Sequence, residues 1–208
     1  MARRGLRLTG GALHGAKLYG IPGKDVRPAL GIVRKSLFSI LGDRVQDARV
    51  LDLFAGTGSV GFEALARGAR EALFVDNDSR CVEALKKNVE HLHLEGRVQV
   101  ARMNAYGAVA LCRRSPEPFD LVFVDPPYRY WDEQRTRERL LQVIEQIALQ
   151  HLAPDGRVVV EHAAGQFDGV DMSALALLTR RTYGGTELSI WVRRGTEPEE
   201  RNDGRYPG

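Results

Sequence analysis

The stretch VLDLFAGTGSVG, residues 50–61, decides the predicted fold. Its first five residues predict a buried strand, and Gly56, Gly58 and Gly61 follow in the pattern G-x-G-x-x-G before a predicted helix. Glycines at these positions let the backbone approach a bound ligand closely. Asp76 closes the next predicted strand, where a carboxylate can accept hydrogen bonds from both hydroxyls of a ribose. The pattern therefore predicts a nucleotide-binding loop, with a tight turn that binds no ligand as the alternative.

Asp52 distinguishes between two ligands that the glycine loop leaves open, NAD and S-adenosylmethionine (SAM), since both contain an adenosine ribose. This residue lies inside the strand end, four residues before the first glycine. A carboxylate in that place would repel the pyrophosphate of NAD, whereas it would attract the ammonium and sulfonium charges of SAM. Asp52 therefore favours SAM.

Strand and helix patterns alternate on both sides of this stretch. Strands separated by single helices imply right-handed crossovers and a parallel sheet covered on both faces. Near the end, residues 175–183, Gly184-Gly185 and residues 187–193 predict an antiparallel hairpin. The predicted fold class is α/β, with a Rossmann-like, mostly parallel sheet. The predicted strands are 50–54, 72–75, 98–102, 121–124 and 158–161, and the predicted helices are 59–67, 79–93, 105–113 and 133–151.

A second motif, FDLVFVDPPY over residues 119–128, ends the fourth predicted strand. Its prolines lack amide donors and stiffen the turn, so carbonyl oxygens point outward. Asp125 and the Pro126 carbonyl can accept two N–H bonds from a planar group with an amine, while Tyr128 can stack on its ring. An isolated motif of this kind favours a proline turn with Tyr128 in the core. Its place after the fourth strand favours a base-binding site instead.

Charge is unevenly distributed along the 208 residues. The first 35 residues contain eight Lys or Arg and one acid, whereas the remainder contains 22 basic and 26 acidic residues. A basic front end on a slightly acidic body points to a polyanion partner, nucleic acid first and an acidic membrane second. A solvated basic arm without a partner is the alternative explanation.

Composition excludes several classes of protein. Cys81 and Cys112 are the only cysteines, too few for a disulfide framework or a Cys-rich zinc site, and they fit a reducing cytoplasm. The longest apolar runs have five residues, far short of a membrane span. No apolar stretch follows the basic N-terminus, so a secretory signal is not expected. We expect a cytoplasmic protein without membrane contact.

The two motifs together resemble a known family. Residues 52–61, Asp76 and residues 125–128 are similar to the SAM-binding and catalytic motifs of class I amino-methyltransferases. Segments near the N-terminus resemble the RsmD group more specifically, whose members methylate guanine N2 in small-subunit ribosomal RNA. The resemblance runs from about residue 6 to 194. The N-terminal segments are LTGG at 8–11, GAKL at 15–18, and Arg27-Pro28 followed by Val33-Arg34 and Leu37-Phe38.

The resemblance implies a role for each matching residue. Gly56 and Gly58 would line the methionine and ribose parts of SAM, and Asp52 would hold its amino end. Asn104 would bind the adenine, where Asn77 replaces the usual apolar cover. The implied catalytic residues are Asp125, Pro126, Pro127 and Tyr128. The implied cofactor-binding residues are Asp52, Phe54, Ala55, Gly56, Thr57, Gly58, Asp76, Asn77, Asn104 and Ala105, and the implied RNA contacts are Arg27, Arg34 and Lys35.

Three segments follow from the resemblance as expectations. Residues 1–42 would form a basic extension, a small hairpin over 6–19 and a helix over 28–41, that contacts RNA. Residues 43–194 would form the SAM-dependent methyltransferase domain, and residues 195–208 an acidic, disordered tail. Ala29, Gly31 and Lys35 depart from the usual RsmD pattern in the extension.

The expected reaction is methyl transfer from SAM to the N2 amine of a guanine in 16S ribosomal RNA, with S-adenosylhomocysteine (SAH) as the product. The expected partner is ribosomal RNA or a small-subunit particle, with no metal and no obligate protein partner. N6-adenine methylation of DNA or RNA is the alternative within this chemistry. An NAD-dependent oxidoreductase and a non-catalytic RNA-binding module are the alternatives from other classes.

Overall fold

The structure is a computed structural model that describes residues 6–21, 29–114 and 117–196, with only the backbone described at residues 29 and 30. In this part of the chain, seven strands form one sheet. The strands are β1 (Arg49–Leu53), β2 (Glu71–Asp76), β3 (Val98–Arg102), β4 (Phe119–Val124), β5 (Leu152–Ala163), β6 (Leu175–Tyr183) and β7 (Thr186–Arg193).

The order of the strands across the sheet is β3-β2-β1-β4-β5-β7-β6. Strands β1 to β5 run parallel to one another, whereas β7 pairs antiparallel with both β5 and β6. This arrangement confirms the predicted mostly parallel sheet with an antiparallel C-terminal hairpin.

Helices cover both faces of the sheet, as crossovers between parallel strands require. Short 3₁₀ turns over Gly42–Val45 and Ala105–Gly107 accompany them. The helices are α1 (Ala29–Leu41), α2 (Ser59–Ala66), α3 (Ser79–Leu92), α4 (Ala108–Cys112), α5 (Arg129–Asp132) and α6 (Gln134–His151).

The core has two layers because side chains alternate between the two faces of each strand. In β1, Val50 packs into the layer with α1, α2 and α3. Leu51 and Leu53 pack into the opposite layer, with α4 and α6. The strand is therefore buried on both faces over all five residues, including the charged Arg49 and Asp52.

The strand order reverses direction between β1 and β4. The chain moves outward from β1 through β2 to β3 and then returns to the other side of β1 with β4. Leu53 lies opposite Val124 in the parallel register of these two strands. The glycine loop and the Asp-Pro-Pro-Tyr turn therefore start side by side, at the place where ligands bind in open α/β sheets.

The N-terminal segment, residues 6–21, packs on α2. Its turn closes through one antiparallel bridge between Arg7 and Lys17, so the predicted hairpin is a minimal one. The Ala12 amide donates to the Ala66 carbonyl at 2.7 Å, and a Cβ at Gly11 would lie 1.7 Å from that same oxygen. Only glycine permits this close approach.

Three predicted boundaries differ from the structure. The predicted helix over 105–113 is a 3₁₀ turn followed by α4, and the short α5 precedes α6. Strand β5 begins at Leu152 rather than at residue 158, with a register shift against β4 between Phe119 and Leu121. Pro154 and Gly156 interrupt the apolar run there, so the sequence pattern showed only its second half.

No helix in the described ranges has the length and apolar character needed to cross a membrane.

Candidate active site

The glycine loop that follows β1 has no space for a side chain at Gly58 or Gly61. Gly56 and Gly58 have φ angles of +58° and +82°. A Cβ at Gly58 would lie 2.5 Å from the ring of Phe62, and one at Gly61 would lie 2.2 Å from the ring of Phe74. The glycines therefore keep the loop close to the first turn of α2.

Asp52 is buried behind this loop, 3% exposed, where its Oδ2 accepts a hydrogen bond from the Gly61 amide at 3.1 Å. Burial raises the pKa of Asp52 to about 8; the Gly61 amide opposes this shift, and the nearby carboxylates Asp125 and Asp76 add to it. With this pKa the acid is mostly protonated at neutral pH, and a positive charge that binds beside it favours its ionisation. Asp52 does not line the cleft itself.

Asp76 ends β2 and orders two loops with one carboxylate. Its Oδ2 accepts from the Gly56 amide at 2.8 Å, and its Oδ1 accepts from the Asp78 amide at 2.8 Å. Each oxygen keeps a second lone pair for an outside donor. The carboxylate is therefore oriented in advance to accept two hydroxyl groups.

The Asp-Pro-Pro-Tyr turn leaves β4 beside the glycine loop, with the Asp125 amide 3.4 Å from the Leu53 carbonyl. The Pro127 and Tyr128 carbonyls accept bonds from the amides of Tyr130 and Trp131. Among the described residues, no backbone amide donates to the Pro126 carbonyl. The Tyr128 hydroxyl lies 2.8 Å from the Thr186 Oγ1, which ties the ring to the start of β7.

One cleft of about 730 Å³ joins these elements, a size typical of small-molecule sites. Of the fourteen predicted catalytic and cofactor-binding residues, eight line it and six do not. Tyr130 adds an aromatic wall and contacts Phe54 edge to face at 5.3 Å. The predicted residues in the lining are Phe54, Gly56, Asp76, Asn77, Asp125, Pro126, Pro127 and Tyr128. Those outside it are Asp52, Ala55, Thr57, Gly58, Asn104 and Ala105.

Comparisons with known proteins agree with this geometry. The model of the family described as Conserved hypothetical protein 95 matches residues 6–192. The chain belongs to this family. A Bacillus subtilis (strain 168) protein, YlbH, provisionally named an rRNA methyltransferase, is 34% identical over 91% of this chain and 100% of its own length.

A curated relative and a solved structure, both from Escherichia coli, add to the comparison. Ribosomal RNA small subunit methyltransferase D (strain K12) is 37% identical over 60% of this chain and 61% of its own length. The solved structure of YhhF, provisionally named a methyltransferase, has a TM-score of 0.74 at 30% identity, over 91% of this chain and 98% of that one. The resemblance to the RsmD group and the class I methyltransferase fold are confirmed, and the chain is a methyltransferase rather than an NAD-dependent oxidoreductase.

In this member of the Conserved hypothetical protein 95 family, Asn104 caps the turn that follows β3. Its Oδ1 accepts from the Tyr106 amide at 3.0 Å, while Ala105 is buried beneath. Because the Oδ1 is used in this cap, the Nδ2 is the side-chain group of Asn104 that can donate to a ligand. Thr57 contributes its carbonyl to Asn88, and Asn77 is exposed at the cleft.

The predicted RNA contacts require a correction at Arg34. Its guanidinium is 4% exposed, pairs with the buried Glu63 at 3.2 Å, and donates to the Arg7 carbonyl at 2.7 Å. Burial lowers the pKa of Arg34, and Glu63 opposes that shift. A guanidinium held in this way cannot reach an RNA phosphate. Lys35 is exposed on α1, and Arg27 lies outside the described residues.

Sequence reasoning missed several residues at the cleft. Cys81 of α3, Glu161 of β5 and Arg129 line it beside the predicted groups. Arg129 directly follows the Asp-Pro-Pro-Tyr motif, so its position next to the site could have been read from the sequence. Cys81 and Glu161 line the cleft because α3 and β5 pack next to β2 and β4. No local sequence pattern shows such packing.

Proposed function

We propose that this chain transfers a methyl group from SAM to the exocyclic N2 amine of a guanine in small-subunit ribosomal RNA. The observation that carries the proposal is the single cleft in which the glycine loop, Asp76 and the Asp-Pro-Pro-Tyr turn meet. The names of the relatives support ribosomal RNA as the substrate. The resemblance to the RsmD group supports guanine N2 as the target atom.

The residues at the glycine loop fit SAM. A Cβ at Gly58 would collide with the Phe62 and Leu85 side chains, so this glycine keeps the loop against α2 and α3. At neutral pH the buried Asp52 ionises when a positive partner binds beside it. Asp76 would accept the ribose hydroxyls through the lone pairs that its two amide donors leave unused. The Asn104 Nδ2 would donate to a ring nitrogen of the adenine. When bound, the cofactor supplies a methyl group activated by its sulfonium centre.

The Asp-Pro-Pro-Tyr turn would hold the target amine. Asp125 and the Pro126 carbonyl accept its two N–H bonds, which draws the nitrogen toward tetrahedral geometry and directs its lone pair at the methyl group. The Tyr128 ring, fixed through Thr186, stacks on the base. A carbon–nitrogen bond forms as the carbon–sulfur bond breaks, and the amine proton leaves late, through Asp125 to solvent. Catalysis comes mainly from positioning and from exclusion of water.

The RNA would approach over the rim of this cleft. A base reaches such a site only when it is unstacked from its neighbours. Residues 1–42 would serve as the RNA-holding extension of the methyltransferase domain (43–194), with Arg27 and Lys35 on phosphates, and Arg129 would add a cation at the cleft. A ribosomal RNA substrate, alone or in a small-subunit particle, places the enzyme in the cytoplasm.

The test is methyl transfer in vitro with SAM that carries a trideuterated methyl group. Small-subunit RNA and small subunits from a strain lacking this protein are incubated with the enzyme, and the nucleosides are analysed by mass spectrometry. We expect trideuterated N2-methylguanosine at one site. Label on the N6 of adenosine, or on no nucleoside, would overturn the proposal.

A further inference from the structure

Asn88 of α3 is a buried polar residue that lies outside both sequence motifs. It is 0% exposed, and its side chain makes three hydrogen bonds. The Nδ2 donates to the Thr57 carbonyl in the glycine loop at 3.1 Å and to the Tyr19 carbonyl at 3.2 Å. The Oδ1 accepts from the Tyr19 amide at 2.6 Å. One amide group therefore connects the glycine loop with the N-terminal segment.

A second contact places the same segment behind the cleft. Ile21 packs on Cys81 and Ala84 of α3 in a small apolar cluster. Cys81 in turn lines the cleft. The chain between Tyr19 and Ile21 thus supports the wall of the cleft from outside, at the level of the glycine loop.

We propose that Asn88 is a positioning residue that holds the glycine loop in its cofactor-binding shape and couples that shape to the N-terminal extension. The inference rests on the proposed use of the cleft for SAM. Thr57 lies between Gly56 and Gly58, two positions with positive φ. The Gly56 amide donates to Asp76 and the Gly58 amide to the Ala55 carbonyl, and Asn88 adds the hydrogen bond to the Thr57 carbonyl. With the Thr57 carbonyl held as well, the turn between Gly56 and Gly58 is hydrogen-bonded to the fold on both sides.

The chemistry requires an amide at this position. The Asn88 Nδ2 uses both of its N–H groups on carbonyls, and the Oδ1 uses a lone pair on an amide. An aspartate would keep the acceptor for Tyr19 but would place a carboxylate oxygen against two carbonyl oxygens. The loop would then populate its binding shape less often, and the apparent affinity for a ligand falls in proportion to that population.

The first test compares SAM binding by calorimetry in the full-length protein and in the variants Asn88→Asp and Asn88→Ala. We expect roughly tenfold weaker binding of SAM in both, as the loss of one buried hydrogen bond predicts. In the transfer assay, KM for SAM rises by a similar factor, while kcat at saturating SAM stays within about twofold. Unchanged SAM affinity in folded Asn88 variants would overturn the inference.

A matched control separates positioning from a general loss of stability. Ile147→Ala removes a fully buried side chain from the opposite core layer, which lowers the stability of the fold without contact to the loop. It should lower the melting temperature and leave the SAM affinity unchanged. Equal loss of SAM affinity in Ile147→Ala and in the Asn88 variants would assign the effect to stability and overturn the inference.

A measurement on the unaltered protein covers the case in which the Asn88 variants fail to fold. Amide hydrogen exchange is recorded with and without SAH for peptides that cover the loop and residues 6–21. Coupling through Asn88 predicts that SAH slows exchange at the Tyr19 amide together with the loop amides. Protection of the loop with no change at Tyr19 would overturn the inference, whereas absence of any SAM or SAH binding would instead overturn the proposed function.

Discussion

Asp125 directly follows β4 at the cleft, and its carboxylate also raises the pKa of the buried Asp52. Asp125→Ala should lower kcat for methyl transfer by about 10²–10³-fold, the usual effect of removing one group that stabilises a transition state. SAH affinity should not weaken, because loss of a nearby negative charge favours ionisation of Asp52. Transfer assays and calorimetry measure the two quantities. Near-normal turnover by this variant would contradict the role of Asp125.

Asp52 makes cofactor binding depend on pH. Because its pKa is about 8 in the protein without ligand, SAM must displace a proton below that pH. SAM affinity should rise about tenfold per pH unit from pH 6 to 8 and level off above. Calorimetry in buffers of different ionisation enthalpy measures the released proton. Asp52→Asn should abolish the pH dependence, and an equally steep dependence in that variant would exclude Asp52 as its source.

The same residue sets a trend in stability. The pKa of Asp52 is raised from 3.8 in an unfolded chain to about 8 in the fold. Its contribution to stability is thus fully present below pH 3.8 and is lost as pH rises towards 8. The change in melting temperature caused by Asp52→Asn should therefore be more favourable at pH 8 than at pH 4, measured by calorimetry on the ligand-free protein. An equal change at both pH values would contradict the raised pKa.

Helix α1 holds two adjacent cations with opposite environments. Arg34 is buried against Glu63, which also accepts from Arg67 and from Thr9, whereas Lys35 is exposed. Arg34→Ala should reduce the free energy of unfolding by roughly 3 kcal/mol, since it breaks a buried ion pair. Lys35→Ala should change it by less than about 0.5 kcal/mol. Urea denaturation compares the two variants, and equal stability losses would contradict the assigned environments.

RNA binding should depend on Lys35, the exposed cation of α1, rather than on the buried Arg34. Lys35→Ala should reduce the slope of log affinity against log salt by ~0.7–0.9, the value for one lost phosphate contact. Binding of small-subunit RNA measured at several salt concentrations gives this slope. An unchanged slope would remove Lys35 from the RNA contacts and leave α1 with a purely structural role.

The environment of Arg34 was partly readable in the sequence. Positions 30, 34, 37 and 41 repeat at helical spacing, so Arg34 falls within the apolar face rather than beside it. Basic composition suggested a phosphate contact, but the helix period assigns this residue to the interior. Its partner Glu63 lies on α2, 29 positions along the chain, and no local pattern identifies such a pair.

At the scale of the elements, apolar runs predicted β1, β2 and β4 well, because these strands are buried on both faces. The edge strand β3 was also predicted, although it is only partly buried. The apolar runs failed for the first half of β5, which depends on pairing with β4 rather than on its own composition. Asn104 explains the split of the predicted helix over 105–113, since it caps a 3₁₀ turn before α4 begins. Caps and register depend on neighbours, so periodicity alone does not give them.

At the scale of the whole molecule, two motifs separated by about sixty residues meet because the strand order reverses between β1 and β4. Sequence reasoning placed each motif directly after a strand of the predicted parallel sheet, from the alternation of strands and helices. It did not predict the contributions of α3 and β5 to the cleft, nor the link from Asn88 to the N-terminal segment. Those depend on contacts between distant parts of the chain, which appear only in the folded structure.

The central claim is that this enzyme methylates one guanine of small-subunit ribosomal RNA at N2. Mass mapping of that RNA from a strain lacking the gene, compared with the same strain complemented by the normal chain or by Asp125→Ala, tests it most directly. We predict one missing methyl on a guanine N2, restored by the normal chain and not by the variant. A complete set of methyl groups in the deletion strain, or restoration by Asp125→Ala, would contradict the claim.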